Sequence, residues 1–141
     1  MKKNQILLVE DNEGDIVLTS EAFEERDCKT NIKVARNGKE AINILFDQKE
    51  DTQLPDLILL DINLPLLNGH EVLKKIKENE KTKHIPVIIL TTSSAISDIN
   101  LTYENYANCF ITKPADINDF FETINVLCNY WFKISKLPSK K

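Results

Sequence analysis

The chain has 141 residues, 42% hydrophobic and 28% charged, with a formal net charge of −4. That length and composition suit one globular domain with its own core. The acidic balance speaks against direct binding to nucleic acid, which needs a clustered basic surface, and no run approaches the ~20 apolar residues of a membrane helix.

The first predicted strand, about Gln5 to Val9, meets a turn at Asn12 to Gly14 and then a helix from about Asp15 to Arg26. Met1-Lys2-Lys3 ahead of the short apolar run Ile6 to Val9 superficially resembles a secretion leader, but Glu10-Asp11 ends that run too early. A cytoplasmic location is therefore expected. Ile32-Lys33-Val34-Ala35 alternates apolar and polar, as a half-exposed edge strand does. After the Asn37-Gly38 turn, Ala41, Ile42, Leu45 and Phe46 recur at helical spacing, and Asp47 to Pro55 reads as a polar loop. Leu57 to Leu60 is a fully apolar strand, followed by a helix from about Gly69 with Val72, Leu73 and Ile76 inward.

Pro86 opens the fourth strand, Val87 to Leu90. The fourth helix has a thin apolar face of Ile96, Ile99 and Tyr103. The fifth strand is Cys109 to Thr112, and Asp116 caps a last helix whose stripe is Ile117, Phe120, Ile124, Leu127 and Trp131. Five strands alternating with five helices predict a doubly wound α/β fold: a (βα)5 three-layer sandwich around a parallel five-stranded sheet, flavodoxin-like in plan. Cys28, Cys109 and Cys128 are odd in number and widely spaced, so buried thiols are expected. His70 and His84 are expected at the surface.

In a parallel sheet the strand exits gather at one edge, where open α/β folds build their sites. The first strand delivers Glu10 and Asp11, the third Asp61, the fourth Thr91 and the fifth Lys113-Pro114. Singly, each has a duller explanation: an acid pair starting a helix, a good β residue, a surface turn. Jointly they describe a pocket. Carboxylates within about 4 Å repel by roughly 4 kcal/mol per pair at an effective dielectric near 20, so Glu10, Asp11 and Asp61 stay ionised together only if a cation joins them. Oxygen ligands without nearby His or Cys point to Mg²⁺ or a similar ion. A metal beside a nucleophilic Asp, with a lysine and a hydroxyl for the phosphoryl oxygens, suits phosphoryl transfer.

These residues also carry a family resemblance. Leu7-Leu8-Val9-Glu10-Asp11-Asn12, Leu60-Asp61-Ile62-Asn63-Leu64-Pro65 with Gly69, Pro86-Val87-Ile88-Ile89-Leu90-Thr91 and Phe110-Ile111-Thr112-Lys113-Pro114 resemble the response-regulator receiver domains of two-component signalling. The likeness runs to about Trp131. It implies that Asp61 accepts a phosphoryl group from a histidine kinase, with Mg²⁺ held by Glu10, Asp11, Asp61 and the backbone carbonyl of Asn63. It also implies that Thr91 binds a phosphoryl oxygen and draws Phe110 inward, that Lys113 pairs with the acyl phosphate, and that Asn63 and Ser93 tune dephosphorylation. The Lys113-Pro114 bond is often cis in this family.

A finer likeness, in Asp11-Asn12-Glu13-Gly14-Asp15, the loop before Asp56, Ala107-Asn108-Cys109-Phe110 and Tyr130-Trp131, is to small regulators that partner phytochrome-type histidine kinases. The chain departs from that subgroup at Glu13, commonly Pro, and at Tyr106, usually Gly. The expected organisation is a receiver at 1–132 and a short basic tail at 133–141. That makes a stand-alone regulator, not an enzyme, whose output is an unidentified downstream protein met through the fourth helix, fifth strand and fifth helix. Phe121, Tyr130, Trp131 and Phe132 spread round the last helix and predict a homodimer. Two other classes compete. A haloacid-dehalogenase phosphatase needs Asp-x-Asp on an early strand, where this chain has Asp61-Ile62-Asn63 on the third. A flavodoxin-like cofactor binder needs a phosphate cradle after the first strand, where Glu10-Asp11 repel phosphate unless a metal intervenes.

Overall fold

A computed structural model describes residues 3–25, 29–47 and 53–138. Its strands are β1 (Asn4–Val9), β2 (Thr30–Ala35), β3 (Leu57–Leu60), β4 (Val87–Thr91) and β5 (Cys109–Thr112). They alternate with α1 (Glu13–Glu25), α2 (Gly38–Phe46), α3 (Gly69–Glu78), α4 (Ile96–Glu104) and α5 (Ile117–Cys128). All pairings are parallel, in the order β2-β1-β3-β4-β5. The α/β three-layer plan expected from the alternation is thus what the chain adopts. Among the described residues, no helix is long and apolar enough to cross a membrane.

Strand geometry divides the core in two, because successive side chains point to opposite faces. Ile6, Leu8, Leu57, Leu59, Ile88 and Leu90 meet Ile16 and Phe23 of α1 and Phe120, Ile124 and Leu127 of α5. Their neighbours Leu7, Val9, Ile58, Leu60, Val87 and Ile89 meet Ala41 and Leu45 of α2 and Val72, Leu73 and Ile76 of α3. Strands buried on both faces explain the unbroken apolar runs of β3 and β4. Edge strand β2 shows the expected half-exposed alternation.

Caps set the helix starts. Asn37, Asn68 and Asp116 each accept a hydrogen bond from the backbone N–H three residues on, at 2.7, 3.1 and 3.0 Å. α4 has no side-chain cap, and only Thr102 of its residues is fully buried. Its predicted apolar face is mostly in solvent, with Ile96 75% exposed. Ile117 also departs from the expected stripe. It is 55% exposed, standing at the first helical position, before the turn that meets the core.

Beyond Cys128 the last helix widens into a π-helical turn, Asn129–Ile134, which the periodicity did not reveal. There Trp131 and Phe132 pack back on the α1–α5 layer. Trp131 lies edge-on to Tyr130, with ring centroids 5.3 Å apart. Cys128 is disulfide-bonded, which corrects the expectation of a thiol at that position. Cys109 is a free thiol, and Cys28 lies outside the described residues.

Candidate functional site

The chain winds from β1 outward to β2 and then back to β3, so the strand order reverses between β1 and β3. In open parallel sheets the crevice beyond the strand ends at such a reversal is where ligands bind. Here it is walled by acids. The N–H of Asp61 donates to the Val9 carbonyl at 3.0 Å and that of Glu10 to the Ala35 carbonyl at 2.9 Å. Both side chains therefore leave the sheet at the same level. Glu10 is 3% and Asp61 6% exposed, whereas Asp11 faces solvent.

Two glycine contacts hold the loop after Asp61 in place. The Gly69 N–H donates to the Ile62 carbonyl at 2.9 Å, and a Cβ there would lie 2.3 Å from Ile62 Cα and 2.4 Å from the Asp61 carbonyl oxygen. A Cβ on Gly38 would lie 1.8 Å from the Leu67 carbonyl oxygen. Only a residue without a side chain lets both helices start this close to the loop. Asp61 Oδ1 then accepts the Asn63 N–H at 3.0 Å.

β5 supplies the cation. The Lys113 N–H donates to the Thr91 carbonyl at 2.6 Å, and its ammonium reaches across the crevice to Glu10 Oε1, to Asp15 Oδ2 at 2.8 Å and to Asp61 Oδ2 at 3.1 Å. Burial would lower this ammonium's pKa, but the hydrogen bonds to Asp15 and Glu10, with the Asp61 charge, hold it above the ordinary lysine value. Burial pushes the Glu10 carboxyl up to about 7, against the pull of Lys113 and with the Asp61 charge adding to it. The Lys113-Pro114 bond is trans, like every described peptide bond. That corrects the cis form the resemblance implied, and trans is the intrinsically favoured isomer of X-Pro bonds.

Carboxylate oxygens of Glu10, Asp11 and Asp61 lie within 4.8 Å of one another. A half-buried, all-oxygen trio with one member forced towards neutrality is what a hard divalent cation stabilises, so the donor set fits such an ion. Asp15 is outside this trio. It was not singled out from the sequence because an acid in a first helical turn is ordinary; its place one turn after Asp11 was the available sign.

The other expected site residues sit beside the crevice. Thr91 is fully buried, its Oγ1 accepting a long 3.4 Å hydrogen bond from the Ser93 N–H. Phe110 is partly buried against the α2–α3 layer, and its backbone N–H donates to the Tyr103 hydroxyl at 3.2 Å. Ser93 Oγ donates to Asp98 Oδ2 at 2.6 Å, and His70 Nε2 lies 2.9 Å from Asp98 Oδ1. His70 is thus not the plain surface residue expected. It joins α3 to α4, and its buried Nδ1 has no hydrogen-bond partner among the described residues. Ser93 and then His70 hold the Asp98 carboxyl below the usual range. Tyr106 has φ 68°, the left-handed conformation that glycine adopts without strain.

The chain is similar to known proteins along nearly its whole length. The family model described as response regulator receiver domain matches residues 6–125. Response regulator Rcp1 of Synechocystis is 38% identical over 136 residues, covering 95% of this chain and 92% of that protein. The structure of a phosphorylated cyanobacterial phytochrome response regulator, RcpA, superposes with a TM-score of 0.93 at 38% identity, over 98% of this chain and all of the other. The Mn²⁺-bound form of Rcp1 superposes with a TM-score of 0.91 at 37% identity, over 96% of this chain and 99% of that one.

Proposed function

The chain belongs to the response regulator receiver domain family of phosphorelay signalling, and from that premise we propose that Asp61 is its phosphoacceptor, phosphorylated by a histidine kinase with Mg²⁺ as cofactor. The observation that carries this reading is the meeting of the buried Glu10, Asp61 and Lys113 side chains, delivered from the ends of three separate strands, in direct ion pairs. The Asp61 carboxylate attacks the phosphorus of the kinase's phosphohistidine. An O–P bond forms, the P–N bond breaks, and its electron pair returns to the imidazole. Glu10, Asp11, Asp61 and the carbonyl of Asn63 would hold the Mg²⁺, which would supply charge neutralisation for the transfer. Lys113 turns an N–H to a phosphoryl oxygen. The Thr91 hydroxyl donates to another and lets Phe110 move into the space it leaves. Asn63 and Ser93 flank the acyl phosphate and set its hydrolysis rate.

The protein acts in this reading only on its own aspartate and serves as a switch, not an enzyme with turnover. In this reading the receiver is a single-domain cytoplasmic regulator, in keeping with its match to 92% of the length of Rcp1, and the expected start of the tail at 133 moves past Ile134, where the π-helical turn ends. A phytochrome-type kinase is its source of phosphate, in keeping with the description of RcpA as a phytochrome response regulator. Output runs through α4, β5 and α5, where Ile96, Tyr103 and Tyr106 are exposed. Most of the aromatic surplus that suggested a homodimer is packed: Phe121, Trp131 and Phe132 lie against the core. A homodimer would instead use Val126 of α5 and Tyr130 and Ile134 of the π-helical turn that continues it, exposed four residues apart.

The reading is tested with acetyl phosphate. Phosphoryl incorporation should require added Mg²⁺ and disappear with a chelator. Incorporation that persists after complete chelation would contradict the three-carboxylate site.

A further inference from the structure

We infer that Asp15 is a positioning residue for phosphoryl transfer: it anchors the Lys113 ammonium so that Glu10 and Asp61 are free to bind the cation. The inference rests on the receiver reading and adds to it a residue from outside the metal-capable trio. Lys113 has three N–H groups, and in this structure all three point to carboxylates: Glu10 Oε1, Asp15 Oδ2 at 2.8 Å and Asp61 Oδ2 at 3.1 Å. Two of those acceptors, Glu10 and Asp61, belong to the cluster that can hold a divalent ion. If Glu10 and Asp61 held a cation, their oxygens would no longer be free for the ammonium, and the two positive charges would repel. Asp15 is the acceptor the cation does not claim.

The local structure keeps Asp15 in this place. It stands in the first turn of α1, with its N–H donating to Asn12 Oδ1 at 2.9 Å and its carbonyl accepting the Thr19 hydroxyl at 2.7 Å. Both backbone groups are satisfied, which holds the Asp15 backbone in place at the start of α1. The Lys113 side chain is 6% exposed and that of Asp15 28%. A buried ammonium that released Glu10 and Asp61 without another anion would be left desolvated and unpaired. Asp15 supplies that anion and lets one N–H turn to the incoming phosphoryl oxygen.

Because Asp15 acts through Lys113, its effect should depend on Lys113. The test measures Mg²⁺ affinity by calorimetry and phosphorylation by acetyl phosphate in wild type, Asp15→Asn, Asp15→Glu, Lys113→Ala and the double variant Asp15→Asn/Lys113→Ala. Supporting partners around metal sites are typically worth about tenfold or more, so Asp15→Asn should bind Mg²⁺ about tenfold more weakly and phosphorylate correspondingly slowly. Asp15→Glu, which keeps the charge, should recover most of both. In the Lys113→Ala background the same Asp15→Asn change should alter Mg²⁺ affinity by less than about twofold, since additivity fails for groups in one network. Wild-type behaviour in Asp15→Asn, or an equal loss in both backgrounds, would overturn the assignment to Asp15. Failure of the wild type itself to take a phosphoryl group would instead overturn the receiver reading.

Discussion

Glu10 shows how one residue's surroundings set the behaviour of the pocket. Its carboxyl is raised from 4.5 to about 7, chiefly by burial. A folded-state value above the unfolded one contributes stability that is present below about 4.5 and lost as pH rises through about 7. Cation binding has the opposite preference, because it needs the ionised carboxylate. Apparent Mg²⁺ affinity should therefore rise with pH up to about 7 and flatten above it. Calorimetric titrations at stepped pH check this, and Glu10→Gln should abolish the slope. Asp11→Ala offers a second check, since removing one carboxylate relieves repulsion in the metal-free pocket while deleting a ligand. Mg²⁺ binding should weaken and the metal-free fold should hold or gain slightly in thermal stability. Unchanged Mg²⁺ affinity would remove Asp11 from the site.

At the scale of elements, the glycine at the start of α3 and the link between α3 and α4 decide whether the pocket holds its shape. Gly69→Ala forces a Cβ against Ile62 and the Asp61 carbonyl. Overpacking of this kind costs about 1–3 kcal/mol, and the displaced loop carries Asp61 with it. Urea denaturation should show the loss, and phosphorylation should fall with it. The chain Thr91, Ser93, Asp98, His70 runs from the crevice to α3. His70→Ala should raise the Asp98 pKa and speed amide exchange at Ala95, whose N–H donates to Ser93 Oγ at 3.2 Å. Unchanged exchange there would mean that the link does not hold the β4–α4 segment. Tyr103 of α4 accepts the Phe110 N–H, which ties α4 to the proposed switch residue. A moving Phe110 ring would thus be felt on α4. Thr91→Ala should still phosphorylate, yet lose the change in Phe110 ring environment seen by NMR when beryllofluoride is added to the wild type. An identical response in both proteins would separate Thr91 from the switch.

The whole molecule was legible in the sequence where burial is two-sided. Runs such as Leu57 to Leu60 have no polar residue because helices cover both faces of β3. Once parallel pairing follows from the alternation, the exits of β1, β3, β4 and β5 must share an edge, so the sequence alone brings Glu10, Asp61, Thr91 and Lys113 to that edge. Contacts between distant surface-type residues were not legible. Asp15 and Asp98 look like ordinary helix-start acids and His70 like an exposed histidine, because their roles depend on which helices lie side by side. The π-helical turn after Cys128 keeps an apolar pattern that a continued α-helix would also show. Assembly belongs to this scale too. Sedimentation at tens of micromolar, with and without beryllofluoride, should show a dimer that Tyr130→Glu disrupts, and a monomer under both conditions would dismiss the α5 face as a homodimer interface.

The most direct test of the account is the site of phosphorylation. Wild-type protein and Asp61→Asn are incubated with acetyl phosphate and Mg²⁺, and intact mass is read before and after brief alkaline treatment. The wild type should gain one phosphoryl group that alkali removes, as an acyl phosphate requires, and Asp61→Asn should gain none. Stable phosphorylation of Asp61→Asn at another residue, or a wild type that never gains the group, would contradict the assignment of Asp61 as phosphoacceptor.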